Sequence, residues 1–499
     1  MTRLLHPSAR VLVLAVTVVL TAVYACRAPE PAPAEGQASA DARADDAQNM
    51  RLVGYNDLQG RESLVVTTLA DAANGAWVYV GHIEAFWDHK PKMNPITGRE
   101  EWNGTSILNV DDPANPKLVW HIPNEADRNS RGVSVVYDYT FDGSGRDYLI
   151  RNSEHLTQGE TGTDLKYQIF DITDRGTDPS KISLVGEITG TPPNSCGPGC
   201  GGQFIMRAHK GWWSQETGYF YAASGEPGFR NVIVQIFDLR NPKEPKFLGR
   251  SWLPGLKDTE PKELYEGQYS HHPNVDEQNK RLYVGYRNNG GQIAGFDISD
   301  PTNQKLLWSL DLNPPFRGPH TVSPITYDQV PNIHGEALPR TYAFVVDEAN
   351  TVEDTMPCPL GVRPASYMVD ITGETKATPV SVWQVPVGDF CKKGGRFGPH
   401  QSAETVNGKI NRFENKLAWL AYFNAGVRLV DLSDPFNLRE VGYYIPKAEP
   451  LSHPMSEGQP AVIQINDVDI DHRGLAYASD RAGAGLYILE YTGGGDETQ

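Results

Sequence analysis

Four short stretches carry histidine in the same setting: "MRAHKGWW" from Met206, "YSHHPNVD" from Tyr269, "RGPHTVSP" from Arg317 and "FGPHQSAE" from Phe397. Each opens a run that reads as a β-strand. His209, His272 (or its neighbour His271), His320 and His400 therefore fall at nearly the same depth in four units. Neutral imidazoles are good ligands for zinc, copper and iron, and carboxylates can orient them. The last unit, "INDVDID", has Asp467 at that place, and "SRGVSVV" has Arg131 near it. Further polar groups follow the second strand-like run of each unit. They are His82 and Glu84, Glu154 and His155, Glu226, Arg287, Asp347 and Glu348, Asn424, and Asp480 and Arg481.

This pattern predicts a transition-metal site, with zinc, copper or iron held by His209, His272, His320 and His400. Glu226, Asp347 or Asp467 would orient the ligands or move protons. Arg287 or Arg481 would hold an anionic group of a small-molecule substrate. Adjacent residues of a strand face opposite sides, so His271 is the natural substitute for His272. A single histidine would be an ordinary polar side chain. Recurrence on consecutive units argues for ligation, although repeats also copy residues for structural reasons. His89, His121, His334, His453 and His472 fall outside the register and read as incidental. The chain holds no GxSxG elbow, HExxH, phosphate loop or dinucleotide fingerprint. Trp87, Trp212 and Trp213 read as packing residues rather than a sugar platform.

What must position these residues is a repeat. Asp111, Asp171, Asp238, Asp297, Asp370, Asp431 and Glu490 share one register, in motifs such as "FDISDP", separated by 59 to 73 residues. Two strand-like runs precede each motif and a short apolar run follows it. About four short strands per unit is the makeup of a propeller blade. The repeated aspartate reads as a turn cap. After Glu490 no outer strand remains, whereas "MRLVGYNDLQG" from Met50 resembles "REVGYYIPK" from Arg439. The fold expected is an all-β, seven-bladed propeller in which an N-terminal strand completes the last blade and removes an open edge. The first strand of each blade then lines a central channel, with the histidines at one mouth.

The alternation of a "VDISDP"-type turn with "xxVGxxxxP" resembles the LVIVD-repeat family of bacterial exported β-propellers, over roughly residues 50 to 493. A ring of histidines from separate blades is similar to the arrangement in iron-dependent carotenoid-cleaving propellers. In outline it is also similar to propellers of the selenium-binding-protein type.

Composition and the N-terminus agree with export. The net charge of -17 argues against nucleic acid as a partner. Arg3 and Arg10 head an apolar core that ends in "VYAC", so residues 1–25 read as a signal peptide and Cys26 as a lipidated cysteine. The Ala/Pro/Asp/Glu-rich residues 26–49 read as a flexible tether, residues 50–493 as the propeller, and 494–499 as a flexible tail. Cys196, Cys200, Cys358 and Cys391 suit an exported protein with disulfides, local pairing being the simplest. The expected protein is a monomer, anchored in the cell envelope through lipid or secreted. It is either a metal-dependent oxidoreductase or hydrolase, or a non-catalytic tethered scaffold that binds protein or glycan on a propeller face.

Overall fold

A computed structural model describes residues 43–71, 74–83, 90–155, 166–189, 206–287, 291–312, 318–330, 339–349, 364–404, 416–455, 458 and 460–493. The signal peptide, Cys26, the two loop cysteines Cys196 and Cys200, Cys358, Glu84, Trp87, His89 and His334 lie outside the described residues. Cys391 is held in a disulfide, and its partner also lies outside them.

Strand after strand pairs antiparallel with its neighbour in sequence, in four four-stranded sheets, one five-stranded sheet and a nine-stranded sheet in which two units meet through the single pair Phe423–Ile465. Blade 1 runs Ser63–Asp71, Gly75–His82, Thr105–Asn109, Lys117–Ile122. Blades 2 to 5 begin with inner strands Val133–Tyr139, Met206–Trp213, Tyr269–Asp276 and Pro319–Tyr327. Blade 6 begins at Phe397–Ser402 and blade 7 at Ile465–Ile470. Blade 7 supplies only three strands of its own. Met50–Asn56 pairs with Leu486–Tyr491 and completes it. The preceding strand, Ala44–Gln48, adds to the outer edge of blade 6, against Tyr443–Pro446. The N-terminal segment therefore covers two sheet edges, one more than its sequence predicts.

Successive residues of the second strands are buried, because each blade is covered on both faces and alternate side chains enter the layers on either side. The core is accordingly divided into layers between blades. One layer joins Val66, Val78 and Leu108 of blade 1 to Tyr477, Leu486 and Ile488 of blade 7. Another joins Tyr283 and Ile293 of blade 4 to Val322, Val345 and Tyr367 of blade 5. Five further layers join the remaining consecutive pairs, so the ring closes on itself. Each fully buried Val, Leu or Ile contributes roughly 1.5–3 kcal/mol, which is what holds short strands in register.

The repeated aspartates cap turns as expected. The Asp297 carboxylate accepts from the Ser299 amide at 2.9 Å and its hydroxyl at 2.6 Å. Asp171, Asp370 and Asp431 accept in the same way from Thr173, Thr372 and Ser433. These turns sit at the ends of third strands, on the face opposite the histidine mouth.

Candidate metal centre at the channel mouth

Six of the seven inner strands break register near their start. Such a bulge places two residues opposite one and re-aims a side chain. In blade 4 the pairs Ser270–Tyr286 and Pro273–Val284 leave His271 and His272 facing a single residue, Gly285. That glycine is needed because a Cβ there would come within 2.5 Å of the Pro319 carbonyl on the next blade. His320 and His400 lie in the corresponding breaks of blades 5 and 6, and His209 in that of blade 3. The bulges turn a repeat in sequence into convergence in space.

The convergence is close. His209 Nε2 lies 3.1 Å from His271 Nε2. The rings continue around the mouth, with centroids 4.0 Å apart for His271 and His320 and 4.4 Å for His320 and His400. Glu348 reaches in from the end of the second strand of blade 5. Its Oε2 lies 3.7 Å from His271 Nε2, 4.0 Å from His320 Nε2 and 3.8 Å from His400 Nε2. Arg287 Nη1 is 2.5 Å from the same oxygen, and Arg396 Nη1 is 3.1 Å from Oε1. His271, His320 and Glu348 each offer a ligand atom within 4.8 Å of the others. A transition metal about 2 Å from each ligand nitrogen requires ligand atoms at roughly 3–4 Å spacing.

Electrostatics favours the ligand form of each ring. Burial holds His271, His320 and His209 below the ordinary histidine range, and the neighbouring imidazoles and cations add to it for His271 and His320. Burial brings His400 down to about 3 despite the opposing attraction of Glu348. Burial alone would raise the Glu348 carboxyl, but Arg287, His400, Arg396 and Arg481 together hold it below the usual range. The centre is thus a set of neutral imidazoles around one ionised carboxylate.

The structure redistributes several roles expected from sequence. His271, not His272, joins the ring. His272 Nε2 lies 2.9 Å from Glu404 Oε2 and lines a cavity deeper in the channel with Lys210, Gln401 and Asp467. Asp347 is not in the centre: it is the last residue of its strand, and it accepts from the Ala365 amide and the Tyr367 hydroxyl. The acid at the ring is the next residue, Glu348, on the other side of the chain. Glu226 is turned toward its own blade, bound by Gln235 and Arg250. Asp467 accepts from the Val66 amide at 3.0 Å, and Asp469 accepts from the Thr68 amide at 2.8 Å. These two carboxylates stitch the last inner strand to the first and close the ring. Arg287, expected to hold a substrate anion, is paired with Glu348 at the centre, and Arg481 lies in its electrostatic reach. Arg396 escaped the sequence reading because it precedes its strand, four residues before His400.

His82 and His121 form a separate polar chain across blade 1. His82 lies between Ser63 Oγ at 3.2 Å and Ser106 Oγ at 2.8 Å. Ser106 Oγ is 3.2 Å from His121 Nδ1, and His121 Nε2 is 3.0 Å from the Trp102 carbonyl. His121 is therefore a cross-strand tie rather than an incidental residue. Burial, with Arg61 nearby, lowers His82 to about 3. The unfolded chain takes up this proton near pH 6.5 and the folded one does not until about pH 3. Stability should therefore fall as pH drops from about 6.5, by roughly 1.4 kcal/mol per unit from His82. Urea unfolding at pH 7.5 and pH 5 should show this slope in the parent and less of it in His82→Gln. Equal slopes would remove His82 as its source.

No family model matches the chain, and no curated protein sequence does. Among solved structures the chain is similar to Chaetomium thermophilum Raptor, with 11% identity and a TM-score of 0.49, over 93% of this chain and 31% of that one. It thus spans about a third of Raptor's length. It is also similar to the Cps50 (Swd1) β-propeller domain of Myceliophteria thermophila, with 11% identity and a TM-score of 0.46, over 90% and 99% of the two chains. A third is a hypothetical selenium-binding protein from Sulfolobus tokodaii, with 14% identity and a TM-score of 0.45, over 84% and 82%. Likeness at this level concerns fold alone, and the strand pairing above carries the fold on its own: the chain is an all-β propeller whose inner-strand bulges gather histidines at one mouth.

Proposed function

We propose that the protein is an exported, metal-dependent enzyme that oxidises or hydrolyses a small molecule at the channel mouth. The observation that supports this most is the approach of three imidazole Nε2 atoms to one Glu348 oxygen, all within 4.0 Å. The residues fit a transition metal. His320 Nε2 is fully buried and has no hydrogen-bond partner. Leaving such an atom unmet costs about 1–3 kcal/mol, and ligation would remove that cost. The imidazoles are already neutral, so no proton has to leave them on binding. A donor set this rich in nitrogen suits zinc, copper or iron better than calcium or magnesium.

His271, His320 and Glu348 would hold the ion, with His400 and His209 completing or flanking the set. Bound there, the ion supplies Lewis-acid or redox chemistry. Arg287 and Arg396 fix the Glu348 carboxylate from both oxygens and keep it ionised. The surrounding blades exclude bulk water from His320 and His400. A scaffold that binds partners on a propeller face has no need of buried imidazoles, so the enzymatic reading is preferred. Metal analysis of protein purified without a histidine tag tests it: about one transition-metal ion per chain is expected. Protein that stays metal-free and takes up no zinc, copper or iron on reconstitution would show the reading to be wrong.

The sequence of residues 1–26 and the likeness to the LVIVD-repeat proteins support export and a lipid anchor at Cys26. A Cys26→Ala variant should leave the membrane fraction. Fractionation identical to the parent's would remove the anchor from this account.

A further inference from the structure

Blade 2 is the exception at the mouth. Its inner strand, Val133–Tyr139, keeps register at its start and carries no histidine. Its second and third strands instead face the break in blade 3. There Ala208 pairs with Ser224 and Gly211 with Ala222, so His209 and Lys210 stand opposite the single residue Ala223. The ladder is locally open, and its buried backbone donors and acceptors need partners from outside the blade.

Those partners are a cross-strand pair of blade 2. Asn152 on Arg146–His155 and Tyr167 on Lys166–Asp171 lie directly opposite each other and share one face. Both are buried. Asn152 Nδ2 donates to the Ala208 carbonyl at 2.7 Å, and the His209 amide donates to Tyr167 Oη at 3.1 Å. These are the two ends of one peptide bond. The Tyr167 hydroxyl donates onward to the Ala223 carbonyl at 3.0 Å. One hydroxyl thus bridges the two strands where the break has parted them. Asn152 is oriented in turn by the Gly132 amide, which donates to its Oδ1 at 2.7 Å. A Cβ at Gly132 would come within 2.9 Å of the His209 carbonyl, so the backbone of blade 2 also lies against this bulge.

His209 depends on this hold more than the other members of the ring. Its side chain is 19% exposed, against 7% for His271, 0% for His320 and 5% for His400. Packing alone therefore restrains it least. Yet its Nε2 lies 3.1 Å from His271 Nε2, as close as any approach in the centre.

We propose that Asn152 and Tyr167 are positioning residues of the centre. They fix the peptide before His209, and so the aim of its imidazole at His271. A blade without a ring histidine thereby places the histidine of the next blade. The assignment deepens the metal-centre reading and rests on it for what the ring holds. The placement of His209 does not need the ion.

The test uses the full chain with two variants. Tyr167→Phe removes only the hydroxyl, and Asn152→Leu removes the amide at similar volume. Tyr327→Phe is the control. It breaks a buried hydroxyl-to-carbonyl bond of the same kind, 2.7 Å to Leu432 between blades 5 and 6, at the far end of an inner strand. In metal-free protein, diethyl pyrocarbonate should modify His209 about threefold faster or more in both variants, because a locally opened ring is more accessible. Mass spectrometry of the peptides reads this rate, with exposed His472 as the internal reference. Zinc affinity, from chelator competition, should fall about tenfold or more in both variants. Tyr327→Phe should match the parent in both readouts while losing stability. If Asn152→Leu does not fold, Tyr167→Phe carries the test. A His209 rate that stays at the parent's in the folded variants, or one that rises equally in Tyr327→Phe, overturns the proposal whatever the zinc affinity. A parent chain that binds no zinc sinks the metal reading instead, and the metal-free rates still decide the placement.

Discussion

His320→Ala should lower the affinity of the propeller for zinc by more than about a hundredfold while leaving the ring of blades intact. Losing an outer partner of a metal ligand already costs 10–100-fold, and His320 stands inside that set. It is the fully buried member of the ring, flanked by His271 and His400 at centroid distances of 4.0 and 4.4 Å. Its Nδ1 lies 3.0 Å from Thr321 Oγ1, which fixes the ring orientation and leaves Nε2 for the centre. His272→Ala should matter less to the metal, because that ring is turned to Glu404. His472→Ala, on the exposed surface, is the control. Competition with a chromophoric chelator measures all three, with circular dichroism reporting the fold. Parent-like zinc affinity in folded His320→Ala would show that the ring is not the metal centre.

Deleting residues 43–56 should lower unfolding free energy by more than about 4 kcal/mol, a large share of the 5–15 kcal/mol typical of a domain. The segment completes blade 7 through six register pairs between Met50–Asn56 and Leu486–Tyr491. Its Met50 and Leu52 side chains are buried in the layer between blades 6 and 7, each contributing roughly 1.5–3 kcal/mol. Without it the edges at Leu486–Tyr491 and Arg439–Pro446 are both open, and open edges pair with other chains. The milder Leu52→Ala should cost about 2–5 kcal/mol by leaving a cavity. Urea unfolding monitored by tryptophan fluorescence measures both. A truncated chain that unfolds at the parent's midpoint would show that the clasp does not hold the ring shut.

The fold was legible for a physical reason. Every blade must bury two faces against its neighbours, so the same strand–turn pattern has to recur, and the aspartate that caps the turn recurs with it. The last blade lacks its outer strand in sequence order, and an edge left open is costly enough that the matching N-terminal segment could be assigned to it. The additional strand Ala44–Gln48 was not legible, because "ADDAQ" has no apolar face and is held by backbone pairing.

The centre was legible only in outline. Alternation within a strand said that one of His271 and His272 faces inward, but a bulge decides which one. The same one-residue ambiguity separates Asp347 from Glu348. The strand ends at Asp347, and the next residue leaves the pleat with its side chain free to reverse. Glu226 carried the same signal as Glu348, an acid just past a second strand. It is captured by Arg250 of its own blade, a pairing that only spatial neighbours can reveal.

By itself the sequence determined seven units, their closure by the N-terminal segment, and the blades that bring histidine to one mouth. These follow from periodicity and from the need to cover sheet faces and edges, which are properties of the chain read in order. The tertiary structure alone decided which side chains meet. The meeting of the imidazoles with Glu348, the sharing of Glu348 by Arg287 and Arg396, and the stitching of Asp467 and Asp469 to blade 1 each depend on a bulge or a contact between residues far apart in sequence. Positions of this kind are fixed by packing between blades, and the order of residues along one chain does not record that.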